Sequence, residues 1–357
     1  MSQNTNDIPL ALSYDDVLLV PQYSDIKSRS DVDLSTQITP RVKLTIPLIS
    51  INMTDVTGVD MAIALGKLGG LGFLPRFDTP ENQADMVKQI KLSKVLVGGA
   101  VGCKDDFLKR AELLAKAGVD IITLDVAHGG MQQAIDATRE LKRRFGKTCD
   151  IVSGVVGTYD SACALFEAGA DSVRVGVGPG TICSTRIQTG FGVPQITAVM
   201  ETSRAARKFK KTVLCDGGTK NSGDIVKGLA AGASAVIIGS QFAGHDEAPG
   251  ELVIKDGIKY KSYNASTSLV EKIKHSKALK CLPETYTKHI EGVESLVPYK
   301  GPLHLSVEKW IANIKSGYSY SGALNINRLW KNSKFIRVTA QGVKESGAHD
   351  VLLYNSH

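Results

Sequence analysis

The 357 residues carry 43 Lys and Arg against 36 Asp and Glu, a formal charge of +7 that is mild for this length. With 43% hydrophobic and 22% charged residues, the composition excludes fibrous, collagen-like and disordered classes and fits an ordinary globular chain. The 35 glycines exceed the typical share of roughly 7%, which favours many tight βα turns over a helical bundle.

The basic runs Lys142-Arg143-Arg144 and Lys208 to Lys211 fall on amphipathic stretches and read as solvated helix faces. Nucleic acid is therefore not an expected partner, whereas a small anionic substrate suits the charge. No stretch reaches the roughly 18 apolar residues of a membrane span, so no membrane partner is expected either. The first residues have no basic n-region and no apolar h-region, which reads as no secretory signal and a cytoplasmic protein. Cysteines occur at 103, 149, 163, 183, 215 and 281 without CxxC or regular spacing, the pattern of neither a disulfide framework nor a zinc site.

In chain order, strand-like runs occupy residues 47–52, 72–75, 95–101, 121–127, 151–156, 172–178, 213–217 and 235–240. They are almost continuously apolar and rich in Val and Ile, as parallel strands buried on both faces are. Helical patterns lie between them, among others at 107–117, 131–145, 160–168 and 222–231. The segments Ala117-Gly118, Ala168-Gly169 and Ala231-Gly232 echo one another before an apolar run, and predict helices C-capped by a left-handed glycine. Eight βα units with right-handed crossovers predict a (β/α)8 TIM barrel spanning residues 1–357 as one domain. A doubly wound open sheet would want GxGxxG after the first strand, and none is there. After Ser240 the periodicity weakens. Residues 255–263 read as a hairpin around Asp256-Gly257, and the polar stretch 264–300 reads as a mobile flap at the catalytic end.

Barrel active sites lie at the C-terminal ends of the strands. There the sequence offers Ser50 to Met53, Asp125 to Gly129, Gly176 to Arg186, Asp216-Gly217-Gly218 and Gly239-Ser240. Glycines after the seventh and eighth strands, with the Ser240 hydroxyl, fit a phosphate site better than two routine turns. Cys183 sits in a Gly/Pro-rich loop between hydroxyls with Arg186 nearby, a setting that favours a thiolate nucleophile. The pattern alone leaves open whether it is catalytic. Asp125 at a strand end could accept from a ribose diol.

The segment VGVGPGTICSTR closely resembles the catalytic loop of IMP dehydrogenases and GMP reductases. With it go SYDDVLLVPQYS, DVAHGG, CDGGTKNSGDIVKGLAAGAS, IIGSQFAGHDEAPGE and EGVESLVPYKG, so the resemblance runs from about residue 9 to 350. It implies a homotetrameric barrel that binds a purine nucleotide (IMP, XMP or GMP) and NAD, or NADPH in the reductase, with a monovalent cation such as K+. Carried over by position, Cys183 attacks purine C2, with Thr185 and Glu291 as further catalytic residues. Asp125, Ala127 and Gly176 would meet the cofactor. The nucleotide would meet Ser50, Met53, Thr181, Asp216, Gly218, Gly239, Ser240, Tyr263, Ser266 and Thr267. Carbonyls of Gly178, Gly180 and Cys183 match the cation loop.

Family dehydrogenases usually insert paired regulatory modules after the second barrel unit. Here residues 89–94 run straight into the third strand, so that domain is expected to be absent. VPQITA, EAPGE, EGVESLVPYKG and ESGAHDV favour the dehydrogenase; the size, Asn52-Met53, Thr189-Gly190 and His245 favour the reductase. The chain departs from the dehydrogenase pattern at three points. Residues 275–289 hold no arginine for its Arg-Tyr pair, Ala265-Ser266-Thr267 replaces Gly-Met-Gly, and Val155 replaces an Asn. The motif balance predicts oxidation of IMP to XMP. The alternatives are reductive deamination of GMP, or a nucleotide-binding relative with impaired turnover.

Overall fold

The computed structural model describes residues 8–104, 106–265, 268–269, 271–273 and 292–347. Each apolar run forms a strand: β1 (Leu48–Ser50), β2 (Leu71–Leu74), β3 (Val97–Val101), β4 (Ile121–Asp125), β5 (Asp150–Val156), β6 (Ser172–Val175), β7 (Thr212–Asp216) and β8 (Ala235–Ile238). Sequential strands pair in parallel and β8 pairs with β1, so the sheet closes into a barrel. Closure explains the unbroken apolar runs, because one face of each strand fills the interior and the other lies under a helix. The covering helices are α1 (Val59–Lys67), α2 (Pro80–Leu92), α3 (Phe107–Lys116), α4 (Gln132–Phe145), α5 (Tyr159–Glu167), α6 (Gln195–Phe209), α7 (Ser222–Ala230) and α8 (Leu303–Tyr320). The link from α2 to β3 is only residues 93–96.

Ile49, Phe73, Ile121, Val152, Leu214 and Ile237 are wholly buried in one cluster, each contributing roughly 1.5–3 kcal/mol by burial. Ile38, Val42 and Leu44 join it from a small hairpin that pairs Thr36–Gln37 with Lys43–Leu44. That hairpin bonds to the N-terminal ends of the last two strands, through Thr36 Oγ1 to Ser234 O and Thr212 Oγ1 to Ile38 O. The N-terminal end of the barrel is therefore plugged, and the C-terminal end is left for chemistry.

The Ala-Gly echoes end helices, with one difference from expectation. The C-caps are Ala117, Ala168 and Ala231 in right-handed geometry, and the glycine one position later turns left-handed, at φ 87°, 104° and 119°. The chain reverses there, and a Cβ would strain it.

After β8 the hairpin is present as β9 (Leu252–Lys255) and β10 (Ile258–Asn264), turning on Asp256 and Gly257, both at positive φ. A third strand, β11 (Glu294–Pro298), pairs with β10, and α8 follows; neither is expected from a stretch that reads as weakly periodic. The helix signal is there, since Leu303, Val307, Ile314 and Tyr318 are buried at helical spacing. Residues 266, 267, 270 and 274–291, most of the expected flap, lie outside the described residues. Among the described residues no helix is long and apolar enough to cross a membrane.

Candidate active site

Side chains alternate along a strand, so every second one points into the barrel. At the C-terminal ends of β4, β6 and β7 that inward place falls to Asp125, Arg174 and Asp216. They line a cavity of about 350 Å³ that opens under the loop following β6.

That loop carries Thr181, Ile182 and Cys183 and runs into a short helix, Thr185–Thr189. The Cys183 N–H donates to Gly180 O at 3.1 Å, closing a turn that brings the half-buried thiol to the cavity wall. Its Sγ lies 3.2 Å from Thr185 Oγ1. Arg186 does not serve as the thiol's neighbouring cation. Its guanidinium donates to Val193 O at 2.8 Å and Val177 O at 3.4 Å, and its stem packs on Gly178 and Gly192. It braces the loop, and the group that meets the sulfur is Thr185.

Across the cavity stand the turns after β7 and β8. Gly217 and Gly218 both have φ of 83°, and a Cβ on Gly218 would sit 3.1 Å from Pro179 Cβ, so glycine lets this turn approach the cysteine loop. Thr181 Oγ1 and Ser240 Oγ are 3.4 Å apart. Tyr263, buried on β10, points its hydroxyl at Gly239, where a Cβ would come within 2.6 Å. Burial pushes that phenol well above its ordinary value, so it stays a neutral donor. The hydroxyls of Thr181, Ser240 and Tyr263 thus gather beside two glycine turns, which suits an anion.

The same cavity also carries charge. Arg174 Nε and Nη2 donate to Asp216 Oδ2 at 2.9 and 2.6 Å, and Nη1 lies 3.4 Å from Asp125 Oδ1. Arg76 Nε meets Asp125 Oδ2 at 3.3 Å. Burial raises the Asp216 carboxyl above its ordinary value and nearby Asp125 adds to this, while the Arg174 guanidinium opposes it.

Of the residues singled out in the sequence, Met53, Asp125, Ala127, Gly176, Gly178, Gly180, Thr181, Cys183, Thr185, Asp216, Gly218, Gly239, Ser240 and Tyr263 come together along the cavity. Ser50 does not. It is wholly buried behind the wall, with its hydroxyl 2.9 Å from Thr57 Oγ1, and Ile51 and Asn52 take the surface instead. Glu291, Ser266 and Thr267 lie outside the described residues. Sequence reasoning misses Arg76 and Arg174. A signal exists for Arg174, because an arginine inside the apolar run Ser172–Val175 must be buried and so must be paired.

A thiol on a glycine-rich loop at one end of a parallel barrel, facing turns rich in donors, defines an α/β-barrel protein built to hold a small anion beside a sulfur nucleophile. Residues 11–349 match the family described as IMP dehydrogenase / GMP reductase domain. The chain is 36% identical to an inosine-5'-monophosphate dehydrogenase of Cryptosporidium parvum, over 97% of each chain. It is 32% identical to that of Nitrosopumilus maritimus (strain SCM1), covering 96% of this chain and 98% of the relative. A GMP reductase of Leishmania donovani is 29% identical over 96% and 98%. The crystal structure of a GMP reductase variant from Trypanosoma brucei in complex with guanosine 5'-monophosphate superposes with a TM-score of 0.93 at 28% identity, covering 98% of this chain and 100% of that one. The chain belongs to the IMP dehydrogenase / GMP reductase family, and is an oxidoreductase of that family.

Proposed function

We propose that this protein oxidises IMP to XMP with NAD through a covalent Cys183 adduct. The observation that carries the reading is the Cys183 thiol, 3.2 Å from the Thr185 hydroxyl, on a cavity also lined by Gly218, Gly239, Ser240 and Tyr263. A purine nucleotide whose phosphate rests on those donors places its base over the thiol. The Cys183 sulfur adds to purine C2 and the C2 hydrogen leaves as hydride. The thioimidate left on the sulfur is hydrolysed by water, which frees XMP and restores the thiol. Thr185 is placed to pass the thiol proton, and Glu291 is proposed as the second proton-transfer group.

The bound nicotinamide supplies the hydride acceptor. Asp125 suits the cofactor's ribose diol, since its side chain is about a quarter exposed, and Ala127 and Gly176 line the same cavity as the thiol. The carbonyls of Gly178, Gly180 and Cys183 offer the oxygen donors a monovalent cation takes, and Gly180 O already accepts the Cys183 N–H. A potassium ion held there would fix the loop. Assembly as a homotetramer belongs to the same proposal.

A second reading is the reductase, in which NADPH supplies hydride and GMP loses ammonia. It is favoured by the absence of arginine from residues 275–289, where the dehydrogenase pattern calls for an Arg-Tyr pair. One assay separates them. Incubation with IMP and NAD should raise absorbance at the reduced-nicotinamide band, while GMP with NADPH leaves it unchanged. A fall with GMP and NADPH, and no rise with IMP, would make the protein a reductase. No change in either, with both nucleotides bound, would leave a binding protein.

A further inference from the structure

Four charged side chains alternate in sign across the cavity: Arg76, Asp125, Arg174 and Asp216. Their exposure is graded. The side chains of Arg76 and Asp125 are 31% and 23% exposed, whereas those of Arg174 and Asp216 are 3% and 7% exposed. A buried guanidinium with both its edges on carboxylates is a rigid tie, because its planar fork fixes the angle between its partners. β5 lies between β4 and β6, and Gly154 leaves space there: a Cβ on it would come within 2.7 Å of Arg174 Cβ.

We infer that Arg174 is a positioning residue that joins the nucleotide and cofactor subsites, so that each ligand's binding depends on the other's through the Asp216–Arg174–Asp125 bridge. The inference rests on the proposed function, which puts the nucleotide ribose at Asp216 and the nicotinamide ribose at Asp125. Both N–H groups that reach Asp216 converge on Oδ2, and among the described residues no hydrogen bond reaches Oδ1. Oδ1 is thus presented to one diol in a fixed direction. At the other end Asp125 divides its oxygens between Arg174 and Arg76, at 3.4 and 3.3 Å. When a cofactor diol takes up Asp125, the more exposed Arg76 can yield to it, whereas the buried Arg174 stays. Because the guanidinium is one rigid plane, setting either carboxylate sets the other. Arg174 touches neither reacting carbon, and its effect runs through the two acids.

The test uses the full chain carrying Cys183→Ala, which binds without turnover, and reads the Kd of IMP by calorimetry with and without saturating NAD. The parent is expected to bind IMP at least about fivefold tighter with NAD present, a coupling of ordinary allosteric size. Arg174→Met should abolish that difference and weaken IMP by about tenfold or more, since it leaves the buried Asp216 carboxylate unpaired and Asp125 with Arg76 alone. Arg174→Lys, which keeps the charge, should bring IMP back to within about threefold of the parent. If Arg174→Met does not fold, Asp125→Asn carries the test. It lies at the far end of the bridge from the nucleotide, yet should remove the NAD effect and weaken IMP measured alone by about threefold. Unchanged IMP affinity in Asp125→Asn, or an intact NAD effect in Arg174→Met, overturns the inference. A parent that binds neither IMP nor GMP overturns the functional reading first, and the inference with it.

Discussion

The Cys183 sulfur lies 3.2 Å from the hydroxyl of Thr185, two positions along the same loop. A nucleophile and a proton carrier on one short turn keep their spacing whatever the rest of the barrel does. Cys183→Ala is expected to lower turnover by at least about a thousandfold while purine nucleotide still binds, because the donors that hold the anion lie on other strands. Thr185→Ala should cost about a hundredfold in kcat with KM little changed. Steady-state kinetics beside nucleotide calorimetry check both.

Cysteine reactivity should follow burial. Cys149 and Cys215 are buried, and burial pushes both thiols up to about 11. Alkylation of the folded protein at about pH 8 should leave these two unlabelled, since the thiolate is the reacting species. Cys183 should be labelled, and IMP should protect it. Peptide mapping of the alkylated protein reads all three sites.

The turn after β7 depends on a left-handed backbone. Gly218→Ala puts a Cβ at φ 83°, 3.1 Å from Pro179 Cβ, and should cost about 1–2 kcal/mol of stability. Its more specific effect is a raised KM for the nucleotide, because Pro179 belongs to the cysteine loop. Urea unfolding and initial rates separate the two effects.

Asp171 fastens the closed end of the barrel, where Lys142 and Lys211 meet its two oxygens at 2.6 and 3.0 Å and the Ile151 N–H donates at 3.0 Å. Burial alone would raise this carboxyl, but the N–H and the two ammonium groups outweigh it and hold it below its ordinary value. The stabilisation is therefore complete above the unfolded value of about 4, and is lost as pH falls from there through the lower folded value. Asp171→Asn should cost about 2 kcal/mol at neutral pH, a figure kept modest because both lysines are partly in water. The gap from the native protein should close below about pH 4. Thermal melts across that range measure it.

The barrel is legible in the sequence because burial on both faces writes each strand as an almost continuously apolar run rich in Val and Ile. The segments beyond Ser240 are harder. Strand β11 is half in solvent, so its apolar positions carry no clear period, whereas the helical spacing of Leu303, Val307, Ile314 and Tyr318 in α8 is a signal that sequence reasoning misses. Cys183 and the glycine turns can be found because loop chemistry is local. Ser50 is misplaced because position along a strand does not tell which neighbour covers a side chain. Arg174 escapes notice because it looks like one residue of an apolar strand, and only closure of the barrel brings Asp125 and Asp216 to it.

The central claim is a sulfur–carbon bond between Cys183 and the nucleotide base. Intact mass spectrometry of acid-quenched protein, taken during turnover with IMP and NAD, tests it most directly. The expected result is an added mass of one IMP less two hydrogens, confined to the peptide holding Cys183 and absent from Cys183→Ala. Turnover at the native rate by the Cys183→Ala protein would contradict it.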